Sequence, residues 1–144
     1  MTIIQIDFAT PEYDEAVHLR YKILREPLGL EYTAEQLAEE YAYIHLAAYD
    51  SAWILRGCLF LTPKPDKVLQ VRQVAVQAEL QGAGIGKALM TASETYARLH
   101  GYERLELNAR DTAVPFYKKL NYDTLGNMFE EVGIQHFKMV KMVK

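Results

Sequence analysis

At 144 residues the chain is the size of one ordinary domain, which argues against a two-domain enzyme with a separate cofactor module and predicts one core over residues 1–144. Hydrophobic residues at 50% and charged residues at 24% give the balance of a soluble globular protein, too apolar for a disordered one. The 16 basic against 19 acidic side chains leave a net charge of −3, so bulk attraction to nucleic acid or to an anionic membrane is not expected, while small substrates stay open.

Residues 2–7 are short and β-branched and read as a strand. Thr10 suits the N-cap of a following helix and Pro11 its first position, and Glu12 and Asp14 complement the positive end of its dipole. Ala16, Val17, Tyr21, Leu24 and Leu28 fall along one face before Pro27 and Gly29 end it. Thr33 and Gln36 have the spacing of a capping box and predict a short second helix to about Glu40. Residues 44–49 and 52–62 flank Asp50 and Ser51, which favour turns, and predict a β-hairpin whose second strand Pro63 and Pro65 close. The nearly continuous apolar run at 68–76 predicts a central strand buried on both faces. From Ile85, the residues Ala88, Leu89, Ala92, Tyr96 and Leu99 recur at helical spacing, and Gly101 suits a left-handed C-cap. Alternation at 104–108 predicts a strand with one buried face, and Asp111 or Thr112 can cap a helix over 113–120 that Asn121 ends. Residues 122–125 and 134–140 complete the strands. Three consecutive strands followed by strand–helix alternation imply an α/β or α+β fold, a mixed sheet with helices on both faces.

Between the apolar strand and the strongest helix lie Gln81, Gly82, Ala83, Gly84, Ile85, Gly86 and Lys87. Glycines let a backbone approach a ligand closely, and the unpaired N–H groups of a helix N-terminus form an anion site, so a phosphate is the expected occupant. A nucleotide P-loop does not fit, because Gly82 to Gly86 is one residue short and Ala88, not a hydroxyl residue, follows Lys87. A dinucleotide fingerprint does not fit either, since Leu89 stands where its third glycine belongs.

With these residues the chain resembles the GNAT superfamily of N-acetyltransferases, whose acetyl-CoA signature is Q/R-x-x-G-x-G/A between a central strand and a helix. The likeness extends upstream through Arg72, Gln73, Val74, Ala75 and Val76. Downstream it takes in Asn108 and the run Phe116, Tyr117, Lys118, Lys119, Leu120, Asn121, Tyr122, similar to the family's late FYxKxGF motif. The resemblance implies the family fold and acetyl-CoA as cosubstrate, with no metal. It implies that pantetheine pairs with the backbone of Val74, Ala75 and Val76, and that the pyrophosphate meets the N–H groups of Gln81 to Gly86, with Lys87 near. Asn108 and Phe116 would complete the cofactor side.

The implied reaction is direct transfer of an acetyl group to a primary amine in a ternary complex. A backbone N–H of Val76 or Val74 would stabilise the oxyanion, and Tyr117 would protonate the departing sulfur. A phenol with a reference pKa of about 10 is protonated at neutral pH and lies above a thiol at about 8.5. No carboxylate occurs in residues 68–76, so a base would act through a water relay ending on Glu26, Glu31, His45 or Asp111. Cys58 reads as a buried small hydrophobe rather than a nucleophile. The acceptor side, built in the family by the first helices and the hairpin, would include Arg25, Glu26, Tyr32 and His45, a set that admits a small-molecule or peptide amine without naming one.

Two other readings are a CoA-binding regulatory module without transfer activity and a domain in which the glycine loop is only a turn. Late edge strands can support a homodimer. A single cysteine and the lack of a signal-like N-terminus fit the cytoplasm. Residues 1–50 carry ten acids and three bases, leaving +4 for the rest of the chain, and this split suggests an acidic acceptor side for a cationic amine facing a basic CoA side.

Overall fold

Seven strands form one mixed sheet in the computed structural model, which describes residues 1–143: β1 (Thr2–Ile6), β2 (Ile44–Tyr49), β3 (Leu55–Lys64), β4 (Val68–Val76), β5 (Arg104–Arg110), β6 (Asp123–Glu131) and β7 (Ile134–Met142). Their spatial order is β1-β2-β3-β4-β5-β7-β6. Only β4 and β5 run parallel, and the helix α3 (Ile85–Leu99) supplies the crossover that a parallel pair needs. The period-2 alternation of β2 divides the core between two faces. Leu46 and Ala48 join Leu59, Leu61, Leu69, Leu89 and Met90 beneath α3, and helix α4 (Val114–Lys119) adds Tyr117 to that cluster. Ala47 and Tyr49 join Cys58, Ala75, Ala16 and Leu19 beneath helix α1 (Pro11–Arg20). No helix among the described residues is long and apolar enough to cross a membrane.

The caps form as the sequence predicts. Thr10 Oγ1 accepts from Tyr13 N at 3.2 Å, and the Thr33–Gln36 box closes reciprocally at the start of α2 (Ala34–Ala38). The buried face of the first helix differs from the expectation. Of the predicted stripe only Ala16 is buried, and the face consists of Tyr13, Ala16, Leu19 and Arg20. The chain widens into a π turn at Tyr21–Arg25 and then tightens into a 3-10 turn at Glu26–Leu28, which shifts the phase of every side chain after Arg20. Helix α3 departs similarly. Its buried stripe includes Ser93 and Glu94, whereas Leu99 is 76% exposed. Glu94 is satisfied by Tyr122 Oη at 3.1 Å and Lys141 Nζ at 2.8 Å, so a charged residue occupies the inner face without an unpaired polar group.

Several strand limits also move, among them the start of β3, at Leu55, and the end of β5, at Arg110. β3 passes through Pro63, which stands opposite Leu69. Pairing with β2 ends at Leu61, so Pro63 lies where β3 has an open edge and a missing N–H is tolerated. β6 and β7 both extend beyond their expected ends, held by their mutual ladder although β6 is largely exposed. The outer strand carries too few apolar residues to be read by alternation.

Candidate active site

The parallel ladder between β4 and β5 lasts for three pairs, Val68↔Arg104, Leu69↔Leu105 and Gln70↔Glu106. β5 then continues alongside β7 as far as Arg110↔His136, and β4 diverges with its β5-facing edge unpaired over residues 71–76. A β-bulge accounts for the divergence. Between Phe60↔Arg72 and Cys58↔Ala75 the strand β4 holds one residue more than β3, and Gln73 takes φ 52° there. A bulge bends its strand and increases the local twist. The expectation of burial on both faces therefore holds for Leu69 and Val71 but not for Val74 and Val76, which are half-buried. Gln77 N donates to Arg56 O at 2.9 Å. By the alternation of an antiparallel ladder, Val76 then turns its N–H and C=O toward the open side. Its carbonyl accepts from Gln81 Nε2 at 3.2 Å, leaving the N–H.

The glycine loop stands at the mouth of this opening. The N–H groups of Gln81 and Ala83 close turns onto Ala78 O and Leu80 O, and the first intrahelical bond of α3 runs from Ala88 N to Gly84 O at 3.0 Å. The N–H groups of Gly82, Gly84, Ile85, Gly86 and Lys87 therefore remain for an anion, five donors at the positive end of a 15-residue helix. Gly82 and Gly84 take φ 88° and 89°, and a Cβ at either would meet no atom within 4 Å, so their need is conformational and the space above them is open. Gly86 serves packing instead. A Cβ there would lie 3.2 Å from Phe116 Cζ, so the ring seats α4 on the first turn of α3. Lys87 is exposed, and Asn108 is exposed on β5 beyond the point where β4 departs.

Tyr117 is buried, with Phe116 edge-on at 4.9 Å and Tyr122 at 6.0 Å. Burial pushes its phenol up to about 12, so it carries its proton at neutral pH. Cys58 is buried as well, with Sγ 3.6 Å from Ala16 O, and burial pushes its thiol up to about 12, the protonated and unreactive state.

Beside the bulge, the π turn, α2 with the turn after it, β3 and β4 enclose a cleft of about 100 Å³ whose lining includes Arg25, Tyr32, Glu39, Tyr43, Arg72 and Gln73. Its wall is built on a buried ion pair. Arg20 Nη1 and Nη2 meet Glu40 Oε1 and Oε2 at 2.8 and 2.7 Å, and Tyr13 Oη donates to Glu40 Oε1 at 2.9 Å. Arg20 Nε donates to Gln73 Oε1 at 3.2 Å, and Tyr32 Oη donates to the same oxygen. Burial alone would lower the pKa of Arg20, but the Glu40 hydrogen bonds and charge outweigh it and hold the proton more firmly. Burial raises the Tyr13 phenol, with the neighbouring Glu40 adding to the effect.

Arg25 and Tyr32 thus lie on this cleft, and the other sequence candidates lie elsewhere. His45 is buried between the rings of Tyr13 and Phe60 with Nε2 2.8 Å from Glu40 O, and burial lowers its pKa. Glu26 is exposed on the 3-10 turn. Glu31 is exposed on a second, open groove of about 340 Å³ that touches the cleft at Tyr32. Asp111 is exposed, with Oδ1 accepting from Thr112 N at 2.8 Å. Arg20 and Glu40 belong to none of the sequence motifs, and Arg72 enters only through the family likeness of residues 72–76. One signal was available, since position 20 follows Tyr13 and Ala16 by seven and four residues, the spacing of one helical face. Nothing in the composition marks Gln73 as the bulge.

A model of the acetyltransferase (GNAT) domain matches residues 10–143. The chain belongs to the GNAT acetyltransferase family. An uncharacterized acetyltransferase from the arcA 3′ region of Streptococcus pyogenes is 31% identical over 105 residues, 73% of this chain and 71% of that protein. YjcF of Bacillus subtilis strain 168, an uncharacterized N-acetyltransferase, is 37% identical over 73 residues, 50% of this chain and about half (52%) of that protein. The crystal structure of an aminoglycoside 6′-N-acetyltransferase complexed with coenzyme A superposes with a TM-score of 0.83 at 18% identity, covering 100% of this chain and 98% of that one. The sheet and its flanking helices are those of the GNAT acyltransferase fold.

Proposed function

We propose that this GNAT protein transfers the acetyl group of acetyl-CoA to a primary amine by direct attack within a ternary complex. The observation that carries the reading is the parting of β4 from β5 after three pairs, with the glycine loop at its mouth. The open edge of β4 offers hydrogen-bonding groups of Val74 and Val76 to a pantetheine amide, whereas Ala75, expected to join them, turns its own N–H and C=O toward Cys58 of β3; the N–H groups of Gly82, Gly84, Ile85, Gly86 and Lys87 suit a pyrophosphate. Phe116 holds α3 and α4 together beside that site, and Asn108 lies on β5 beyond the point where β4 departs. The residues present fit the cosubstrate.

The amine nitrogen attacks the thioester carbonyl carbon, and the N–H of Val76, or that of Val74, stabilises the charge on the carbonyl oxygen. As the C–S bond breaks, the sulfur takes a proton from Tyr117, and the proton lost by the amine nitrogen returns to Tyr117 through water, so the protein ends unchanged. Tyr117→Phe keeps the ring packing and removes the donor. We expect kcat to fall by about 10²-fold or more with little change in acetyl-CoA affinity. Undiminished turnover in the variant would remove Tyr117 from the mechanism. Thermal melting with acetyl-CoA separates the regulatory reading, which keeps the rise in midpoint but shows no transfer to any amine.

A further inference from the structure

We infer that the acceptor amine also carries a carboxylate, and that Arg72 and Arg25 bind that carboxylate in the cleft beside the bulge. The inference rests on the acetyl-transfer reading for the amine, and on separate observations for the carboxylate.

Among the described residues neither guanidinium is matched by an acid, unlike that of Arg20 beside them. Arg20 is fully engaged by Glu40. Arg72 is half-buried and, among the described residues, has neither an ion pair nor a hydrogen-bond acceptor. What holds it is aromatic, with its guanidinium 5.2 Å from the Phe60 ring centroid and 6.0 Å from that of Tyr43, two rings stacked at 5.1 Å. Arg25 lies over the Tyr32 ring at 4.7 Å and donates through Nη2 to Glu31 O at 2.7 Å, while its Nε is buried without a partner.

A planar guanidinium already fixed by stacking is preorganised for a two-point grip on a carboxylate, and a buried N–H without an acceptor costs free energy until one arrives. The acids on the same walls do not compete. Both oxygens of Glu40 are occupied, and Glu39 is exposed. With Glu40 matched by Arg20, the lining leaves two guanidiniums against the one exposed carboxylate of Glu39, a balance that favours an anion over a polyamine. The acidic first fifty residues therefore do not make an acidic acceptor pocket: Glu12, Glu15, Glu26 and Glu35 are exposed away from this wall, and the decisive cation, Arg72, comes from the other half of the chain.

The position also fits. Arg72 precedes Val74 by two residues on one strand, at most about 7.6 Å between Cα atoms, so a carboxylate on Arg72 and an amine at the open edge of β4 fall within one small molecule. An α-amino acid, or a short amino acid with a longer spacer, has this chemistry.

The test is kcat/KM, read as CoA release, for matched pairs with and without the carboxylate: phenylalanine against phenethylamine, and lysine against cadaverine. Phosphoethanolamine represents an amine with a different anion. We expect the carboxylated member of each pair to be preferred at least about tenfold, the least that a charge-assisted hydrogen bond contributes. In Arg72→Gln that ratio should collapse to near unity, with Arg72→Lys intermediate because it keeps the charge and loses the fork. Calorimetry on the CoA-bound protein with phenylalanine and phenethylamine gives the same comparison without requiring turnover, so it stands even if the acetyl-transfer reading fails. Equal or better binding of the amines that lack a carboxylate overturns the inference, as does a preference that survives Arg72→Gln. Preference for phosphoethanolamine over every carboxylated amine overturns the carboxylate assignment.

Discussion

Replacing Glu40 by Gln tests whether the acceptor wall depends on the Arg20–Glu40 pair. The side chains of Arg20 and Glu40 are 1% and 4% exposed, so the change leaves a guanidinium buried with no counter-charge. Gln keeps one acceptor for Tyr13 and Nη1 of Arg20, but its amide turns a donor toward Nη2, where Glu40 accepts at 2.7 Å. Breaking a buried pair from one side costs about 3–5 kcal/mol. For a domain of this size each kcal/mol moves the midpoint by about 2–4 °C, so Tm should fall by about 10 °C or somewhat more. Urea unfolding at pH 7 should show the same loss as a lower midpoint with unchanged slope. Because Arg20 Nε also holds Gln73, the bulge loosens, and the KM for the amine should rise more than that for acetyl-CoA. The double substitution Arg20→Met with Glu40→Leu removes both charges and should be more stable than Glu40→Gln alone. A loss below 1 kcal/mol in Glu40→Gln, or a double variant no more stable than the single one, would refute the reasoning.

Gly57→Ala places a Cβ 2.9 Å from Ile85 Cγ2 and 3.1 Å from Leu89 Cδ1, which should push α3 off the sheet, cost about 1–3 kcal/mol in urea and reduce the thermal shift given by acetyl-CoA. Cys58→Ala should stay active in CoA-release assays, since its buried thiol takes no part in direct transfer, and should lose about 1 kcal/mol from the small cavity it leaves. Two pH effects follow from burial. His45 has a lowered pKa in the fold, so its contribution is complete above about 6.5 and is lost as pH falls through the folded value. His45→Gln should flatten the acid limb of a stability–pH curve. Tyr117 is raised to about 12, so its contribution is complete below the unfolded value of about 10 and lost as pH climbs toward 12, a loss that Tyr117→Phe should lessen.

Local signals read well because their causes are local. The Thr33–Gln36 box, Pro11 behind its Thr10 cap, the left-handed Gly101 and Asn121, and the limits of β4 and α3 each depend on a few neighbouring residues, and all form as expected. The readings that shifted involve polar groups satisfied from a distance. Apolar periodicity missed Arg20 and Glu94 on inner helical faces because their partners, Glu40 for the one and Tyr122 with Lys141 for the other, lie 20 to 47 residues away. The same is true of the site. Gly82, Gly84 and Gly86 announce a turn with free N–H groups in one short run, whereas the cleft draws on the π turn, α2, β3 and β4.

The sequence by itself determined the mixed sheet with helices on both faces, the glycine loop at the start of α3 and the placement of Tyr117 on α4, since hydrophobic period, capping and glycine spacing are written along the chain. Only the tertiary structure decided where β4 leaves β5 and which charges line the cleft. A one-residue bulge at Gln73 opens the sheet, and it is set by the β3 register and by partners remote in sequence, Arg20 and Tyr32, that hold the Gln73 side chain. The pocket's charge is what remains after pairing: Glu40 is neutralised by Arg20, and Arg25, Arg72 and Glu39 are left on the lining. Net charge counted along the chain could not show this, because a charge acts on a ligand only when no nearer partner has taken it.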